Sequence, residues 1–232
     1  MHIEPGVVLG AKMALGYATA AGVFLYAARL SLKTIEKDGF VALAIRTFMA
    51  TLLVFGFFEL LPHYPVGVSE VHFILGSTLF LMFGAAPAAI GLAMGLMLQG
   101  VLFAPADLPQ YGMNVTTLLV PLFMIDVLAR RVIPAETAYK DIEYMQALKL
   151  SMVYQTGVVA WVGFWAVYGQ GFGAENLAQI ASFSAVYMLV VLIEPLVDLA
   201  VLAAAKSVHQ FKDSMLFQSR LYKDACTANA ES

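Results

Sequence analysis

This sequence has few charged residues. Only 12% of the 232 residues are charged, whereas 61% are hydrophobic. Soluble domains carry about a quarter charged residues, so this chain has too little polar surface to cover a water-exposed globule. Its mean hydropathy is +0.80. The composition excludes a soluble fold and predicts an integral membrane protein made of helices, because a helix satisfies its own backbone hydrogen bonds in lipid.

Other missing features exclude whole classes of function. The net charge is −3, and no concentrated basic surface is present, which excludes nucleic acid as a partner. The single cysteine, Cys226, cannot form an internal disulfide and belongs to no metal motif. No basic residue precedes Lys12, so we expect the first apolar run to be a retained helix, not a cleaved signal. No G-x-x-x-x-G-K-[ST] loop occurs, so any ATP hydrolysis must come from a partner.

The long apolar runs predict the membrane spans. They fall at about 7–28, 40–61, 73–103, 115–129, 147–168 and 179–205. A spanning helix needs about 20 apolar residues, so most of these runs hold one helix each. We expect residues 1–205 to form a single transmembrane domain and residues 206–232 to form a cytoplasmic C-terminal tail.

The distribution of Lys and Arg predicts the topology. Twelve of the 13 basic residues lie in segments 29–46 and 129–149 or in the tail, and segments 62–72, 104–114 and 169–178 have none. Positive loops stay cytoplasmic. Both basic loops lie on one side only if run 73–103 is a hairpin that breaks at 84–87, where Pro87 suits a first helical turn. The sequence therefore predicts an all-α integral membrane fold of about seven transmembrane helices, with the N-terminus outside, the C-terminus cytoplasmic, and helices 3 and 4 forming a short hairpin.

Small residues recur every four positions in two of these helices. Helix 4 carries Gly91 and Gly95 at this spacing. On helix 1 the small residues are Gly10, Ala14, Ala18 and Gly22. Such faces let helices approach closely in lipid. We expect the helix 1 face to pack against this chain or against another subunit.

The N-terminus carries the clearest chemistry. The Met1 amine, the His2 amide nitrogen and His2 Nδ1 can close five- and six-membered chelate rings around one ion. Strong nitrogen donors in one plane favour Ni(II) or Cu(II). The simpler alternative is an exposed N-terminal histidine. A fourth nitrogen donor is available from His72, which the topology places on the same outer side; His63 is interpreted as an interfacial residue beside Tyr64, and His209 lies in the tail. We therefore expect substitutions at His63 and His209 to change metal binding little.

Three stretches resemble one known family. The first is Met1-His2-Ile3 with Gly6, and the second is the Pro-Val-Gly stretch that leads to Val71-His72-Phe73 and Gly76. The third is Leu-Met-Leu-Gln-Gly-Val-Leu-Phe at 96–103, followed by Gly112-Met113-Asn114. From residue 1 to about 125, the order and gaps are similar to those of the substrate-binding membrane component of cobalt/nickel energy-coupling-factor transporters (the CbiM/NikM family).

The resemblance implies a metal-uptake subunit and not an enzyme. It implies four nitrogen donors from Met1, His2 and His72 for Ni(II) or Co(II), which are the transported substrate, and makes Gln99 and Asn114 the polar groups that hold the N-terminal segment. It implies as partners a transmembrane coupling subunit, two ATPase subunits and often a small accessory membrane subunit, within the cell (inner) membrane. The chain departs from the family pattern at Glu4, one position early, and at Glu70, where Ser is usual.

Two other functions stay open on the sequence. An intramembrane metal-dependent hydrolase would use His72 or His63 with Glu70 or Glu59, although H-E-x-x-H and G-x-S-x-G are missing. A vitamin-binding component of the same transporter class would need only an apolar pocket. Acids within the spans are functional candidates by default. Asp126 precedes Arg130 by four residues and predicts an ion pair, whereas Glu194 and Asp198 fit either structural pairing or proton coupling.

Overall fold

The computed structural model describes residues 3–61, 63–134, 137 and 141–207. Seven α-helices form in this part of the chain, together with one β-hairpin. The helices are α1 (Met13–Asp38), α2 (Phe40–Glu59), α3 (Gly76–Phe83), α4 (Ala85–Leu102), α5 (Tyr111–Val132), α6 (Tyr144–Gln170) and α7 (Ala174–Ser207). The hairpin consists of β1 (Tyr64–Val66) and β2 (Ser69–Val71). The all-α membrane fold with seven helices is confirmed.

Five of the described helices are long and apolar enough to cross a membrane. They are α1, α2, α4, α5 and α6, with mean hydropathies between 1.2 and 2.0 over their most apolar windows. Many of their large side chains point outward, among them Leu25, Phe48 and Val101. Outward apolar residues are the expected surface of a protein whose solvent is lipid.

The predicted break in run 73–103 is confirmed. Helix α3 ends at Phe83, and α4 begins at Ala85. Between them Gly84 has a φ of +89°, a backbone conformation that residues with a Cβ rarely adopt. At a rise of about 1.5 Å per residue, the eight residues of α3 cover only about 12 Å, less than half of the hydrocarbon core. Every residue of α3 except Met82 is buried, so other helices shelter this short arm from lipid as expected.

The small residues of α4 pack as their spacing predicts. A Cβ added at Gly91 would lie 2.5 Å from the Ala50 Cβ, and one added at Gly95 would lie 2.5 Å from Val54 Cγ1. Both neighbours belong to α2, so the two backbones approach closely through these glycines.

The expected packing face of α1 does not pack within the described chain. Ala14 and Ala18 are exposed, and a Cβ added at Gly10 or Gly22 would meet nothing within 4 Å. The buried face is the neighbouring one: a Cβ added at Gly16 would lie 2.7 Å from Met113 Cγ of α5. Among the described residues, the face formed by Gly10, Ala14, Ala18 and Gly22 therefore meets no other helix, and of its two expected partners another subunit stays the prediction.

We expect cysteine labelling to show on which side of the membrane each loop lies. In a Cys226→Ala background, a cysteine at Ala106, exposed between α4 and α5, should react with an impermeant thiol reagent added outside. A cysteine at Glu36, exposed near the end of α1, should react only after permeabilisation. Ala86 is buried, so a cysteine there reports nothing about sidedness. Outside labelling at position 36 in sealed cells would contradict the N-out arrangement derived from the basic loops.

Candidate metal centre

The N-terminal segment is tied down where its description begins. The Ile3 amide donates a buried hydrogen bond of 2.8 Å to Asn114 Oδ1, one turn into α5. Ile3 also forms an antiparallel bridge with Ser69 of β2, and the Glu4 amide lies 3.4 Å from the Val68 carbonyl oxygen. The Ile3 side chain is completely buried. The N-terminal segment thus pairs with the edge of the hairpin at β2, and the Asn114 side chain holds it from α5.

A second set of contacts fixes the same segment further along. A Cβ added at Gly169, near the end of α6, would lie only 1.9 Å from the Val7 carbonyl oxygen, so the two backbones touch. Lys12 Nζ donates hydrogen bonds to the carbonyl oxygens of Tyr168 and Gly169, at 3.0 and 3.1 Å. These are among the last carbonyls of α6, where a cation is favoured by the helix dipole. Lys12, the one basic residue outside segments 29–46 and 129–149 and the tail, therefore has a local structural role.

His72 lies directly after β2 and is 1% exposed. Its Nε2 lies 2.9 Å from Glu70 Oε2, and the carboxylate accepts the hydrogen bond from the ring. Residues two apart on a strand point to the same face, which explains why Glu70 reaches this ring. The edge of Phe58 also packs on the imidazole, with ring centroids 5.0 Å apart at 78°. The predicted ligand is therefore a buried and oriented imidazole.

His63 lies against His72, a contact that the sequence interpretation missed. The two rings are nearly parallel, at 15°, with centroids 4.9 Å apart. The hairpin register explains the pairing: Tyr64 is opposite Val71, so the residues that flank this pair are also brought opposite one another. In the sequence, this contact was signalled by the two-residue turn Gly67-Val68, with one histidine next to the far end of each strand. The interpretation of His63 as an interfacial residue therefore left out its main described neighbour.

We expect this stack to matter for affinity, which revises the expectation for His63. His63→Ala should weaken metal binding by about fivefold, because an aromatic stack contributes roughly 1 kcal/mol to the placement of the His72 ring. His63→Phe keeps a planar ring and should retain most of the affinity. Metal titration of the two purified variants separates a stacking role from an interfacial one. Equal affinities in the alanine variant and the unchanged protein would contradict the stacking role.

Acidic side chains gather around the N-terminal segment and the hairpin. Burial raises the pKa of the Glu4 carboxyl, and the negative charges of Glu70 and Asp107 raise it further. Both Glu70 and Asp107 therefore lie within electrostatic range of Glu4. A group of acids on the N-terminal segment and the hairpin gives this end of the structure a negative potential, which attracts cations.

The other sequence-predicted site residues are placed as follows. Met1 and His2 lie outside the described residues. Gln99 is 5% exposed, and its Oε1 has no hydrogen-bond partner among the described residues. Within that same part of the chain, no three His, Cys, Asp or Glu side chains are grouped to hold a metal. Asn114 is thus bonded to the N-terminal segment at Ile3, and Ser69 of the strand that leads to His72 is bridged to the same residue. The metal site itself stays a prediction.

The acids within the spans separate into two cases. Asp126 is mostly buried and forms the predicted ion pair with Arg130, one turn later on α5. The side chains of Glu194 and Asp198 lie outside the described part of α7, as do Cys226 and His209 in the tail. The structural account of Asp126 is confirmed, and the role of the other two acids stays a prediction.

The model of a family described as the cobalt uptake substrate-specific transmembrane region, CbiM, matches residues 2–210. The chain belongs to this family. The CbiM match reaches well beyond residue 125, into α7, where the sequence likeness rested on hydropathy alone. As a CbiM-family protein, the chain is a multi-pass membrane protein for metal uptake and not an enzyme, which rejects the hydrolase alternative.

A solved structure shares the fold of this chain. It is described as a crystal structure of a transition metal transporter, and it aligns with a TM-score of 0.62 at 18% identity. The alignment covers 91% of this chain and 98% of the other one, so the likeness extends over the whole fold. No protein with a curated function matches this chain.

Proposed function

We propose that this chain captures Ni(II) or Co(II) on the outer side of the cell membrane and releases it inward. The observation that carries the proposal is the fixed position of Ile3, which is bonded to Asn114 and bridged to Ser69. One residue of extended chain covers only about 3.3–3.6 Å. The proposal is that His2, the residue before Ile3, binds the ion beside Asn114 and the strand that leads into His72.

The proposed donors are the Met1 amine, the His2 amide nitrogen, the His2 imidazole and the His72 imidazole. The two chelate rings at the N-terminus leave one position in the plane, which His72 fills from the hairpin. Asn114 supports this arrangement because its Oδ1 accepts a hydrogen bond from the amide of Ile3, the residue directly after His2. Outer partners of this kind fix metal ligands elsewhere, and their loss costs about 10–100-fold in affinity. Gln99 is proposed for a similar role, since its buried Oε1 has no described partner.

The energy for uptake is proposed to come from partner subunits. The chain has no phosphate-binding loop, so we propose a transmembrane coupling subunit, two ATPase subunits and a small accessory membrane subunit. The exposed face formed by Gly10, Ala14, Ala18 and Gly22 is the surface that we propose for helix contact in that complex. The twelve basic residues in three segments support a cytoplasmic-membrane protein with its tail inside.

The experiment is a measurement of bound and transported metal. The full chain, purified with a tag at its C-terminus only, should contain Ni(II) or Co(II) and rebind either ion after chelation. Cells that express it with its ATPase partners should take up trace metal faster than cells without it. Protein that neither retains nor rebinds these ions would contradict the proposal. Equal uptake with ATPase-inactive partners would instead indicate that the chain works alone.

A further inference from the structure

We propose that the groove between α1 and α5 binds the headgroup of an anionic phospholipid, with Lys33 and Arg130 as the cations that hold its phosphate. This site is separate from the proposed metal site and does not depend on the proposed function. Its basis is the register in which the two helices pack, together with the exposed charges that this register brings to one place.

Helices α1 and α5 run in the same direction and keep one register along their contact. A Cβ added at Gly16 would lie 2.7 Å from Met113 Cγ, and the ring centroids of Tyr26 and Phe123 are 4.6 Å apart. Both pairs are 97 positions apart in the sequence, so the two helices advance together. Phe123 also packs against the buried cluster that contains Leu30, so the contact continues beyond Tyr26.

The same register places two cations on facing helices at one level. Residues seven apart on a helix lie on the same face. Lys33 follows Tyr26 by this interval on α1, and Arg130 follows Phe123 by the same interval on α5. At a rise of about 1.5 Å per residue, both cations lie about 10 Å beyond the aromatic pair. The axes of packed helices are about 8–10 Å apart, so one phosphate between the two long side chains is within reach of both.

The charges at this level are exposed. Lys33 is exposed, and so are Arg29 and Lys37, one turn to either side of it. Among the described residues, none of these three belongs to an ion pair. Arg130 is paired with Asp126, yet its side chain is 62% exposed, and a guanidinium has enough N–H donors to bind a phosphate as well. Like charges held in one register repel each other, and an anion between them removes that cost.

The surroundings of the two cations suit a lipid better than a soluble anion. Val127, one turn before Arg130, is 45% exposed, and Tyr26 is 36% exposed. These apolar surfaces lie on the membrane side of the cations, where they offer contact to acyl chains. Long Lys and Arg side chains extend from such a surface to the level of the headgroups. A free phosphate would meet the charges and gain nothing from the apolar surface.

The test measures the lipid that binds to the full purified chain in detergent. Phosphatidylglycerol, which is anionic, and phosphatidylcholine, which is zwitterionic, are offered in equal amounts, and native mass spectrometry counts the bound molecules of each. The unchanged protein should bind phosphatidylglycerol in preference. Lys33→Gln, which leaves the pair of Arg130 with Asp126 intact, should lower this affinity about fivefold. Lys33→Gln combined with Arg130→Gln should lower it at least about tenfold.

Two controls separate the groove from net charge. Arg131→Gln combined with Lys149→Gln removes the same charge from two other exposed residues and should stay within about twofold of the unchanged protein. Lys33→Arg keeps the cation and should keep the affinity. The melting temperature of each variant shows whether it is folded, and Lys33→Gln alone tests the site if the double variant is not.

Four outcomes overturn the lipid site. Equal binding of both lipids by the unchanged protein would show that the basic residues serve only the helix dipole and the orientation in the membrane. An equal loss in the control double variant would show that only net charge matters. Displacement of the lipid by an equal concentration of glycerol 1-phosphate would show a site for free phosphate esters. Unchanged lipid affinity in Lys33→Gln, with poorer recovery of partner subunits, would show that this surface docks an acidic protein.

Discussion

A single glycine placed before Met1 should abolish binding of Ni(II) and Co(II) at micromolar metal. The extension turns the Met1 nitrogen from an amine into an amide and moves the new amine out of position. The five-membered chelate ring to the His2 amide is then lost. That amide must also give up its proton with no anchored ion beside it. Structural metal sites bind with about 10–16 kcal/mol in total, so one of four donors contributes several kcal/mol.

Substitutions at the other donors should rank in order. His2→Ala removes the imidazole and its six-membered ring and should also abolish binding. His72→Ala leaves the three-nitrogen chelate intact, so it should weaken binding strongly without abolishing it. Each variant is titrated with both ions after its insertion into the membrane has been checked, and a glycine added at the C-terminus is the matched control. Affinity unchanged by the N-terminal glycine would refute the site.

Gly169→Ala should lower metal affinity at least about tenfold, equivalent to about 1.4 kcal/mol, although it touches no proposed ligand. The new Cβ would lie 1.9 Å from the Val7 carbonyl oxygen and 2.8 Å from its carbon, and a backbone cannot yield as a flexible side chain can. The N-terminal segment must therefore move away from α6. Because Ala is the better helix former by about 1 kcal/mol, an effect on helix propensity alone would have the opposite sign on stability.

The chain supplies a matched control for this prediction. A Cβ added at Gly173, four residues further on, would meet nothing within 4 Å, so Gly173→Ala should bind metal like the unchanged protein. Thermal unfolding and metal titration of both variants are the measurements. If Gly169→Ala and Gly173→Ala have the same affinity and the same melting temperature, the close contact with Val7 does not position the metal site.

Several elements followed from the sequence because their causes are local. Low charge and long apolar runs predict that the chain lies in lipid and not in water, and this preference does not depend on the fold. The break at Gly84 follows from a glycine and Pro87 within an apolar run too long for one helix and too short for two full ones. The chelating start Met1-His2 and the second imidazole of His72 were predicted from spacing and a common side of the membrane, and they stay a prediction. Asn114 was identified through a resemblance, and the structure bonds it to Ile3.

The contacts between elements were decided by the tertiary structure. Helix α1 carries small residues on two faces, and periodicity cannot tell which one meets another helix; the surface of α5 at Gly112 and Met113 selects the face with Gly16. His63 and His72 are nine positions apart, and only the register of the hairpin brings their rings together. The bond between Glu70 and His72 depends on the same strand. The apolar or charged character of a residue is a property of that residue alone. These contacts depend on the shapes of two surfaces, which only the folded chain brings together.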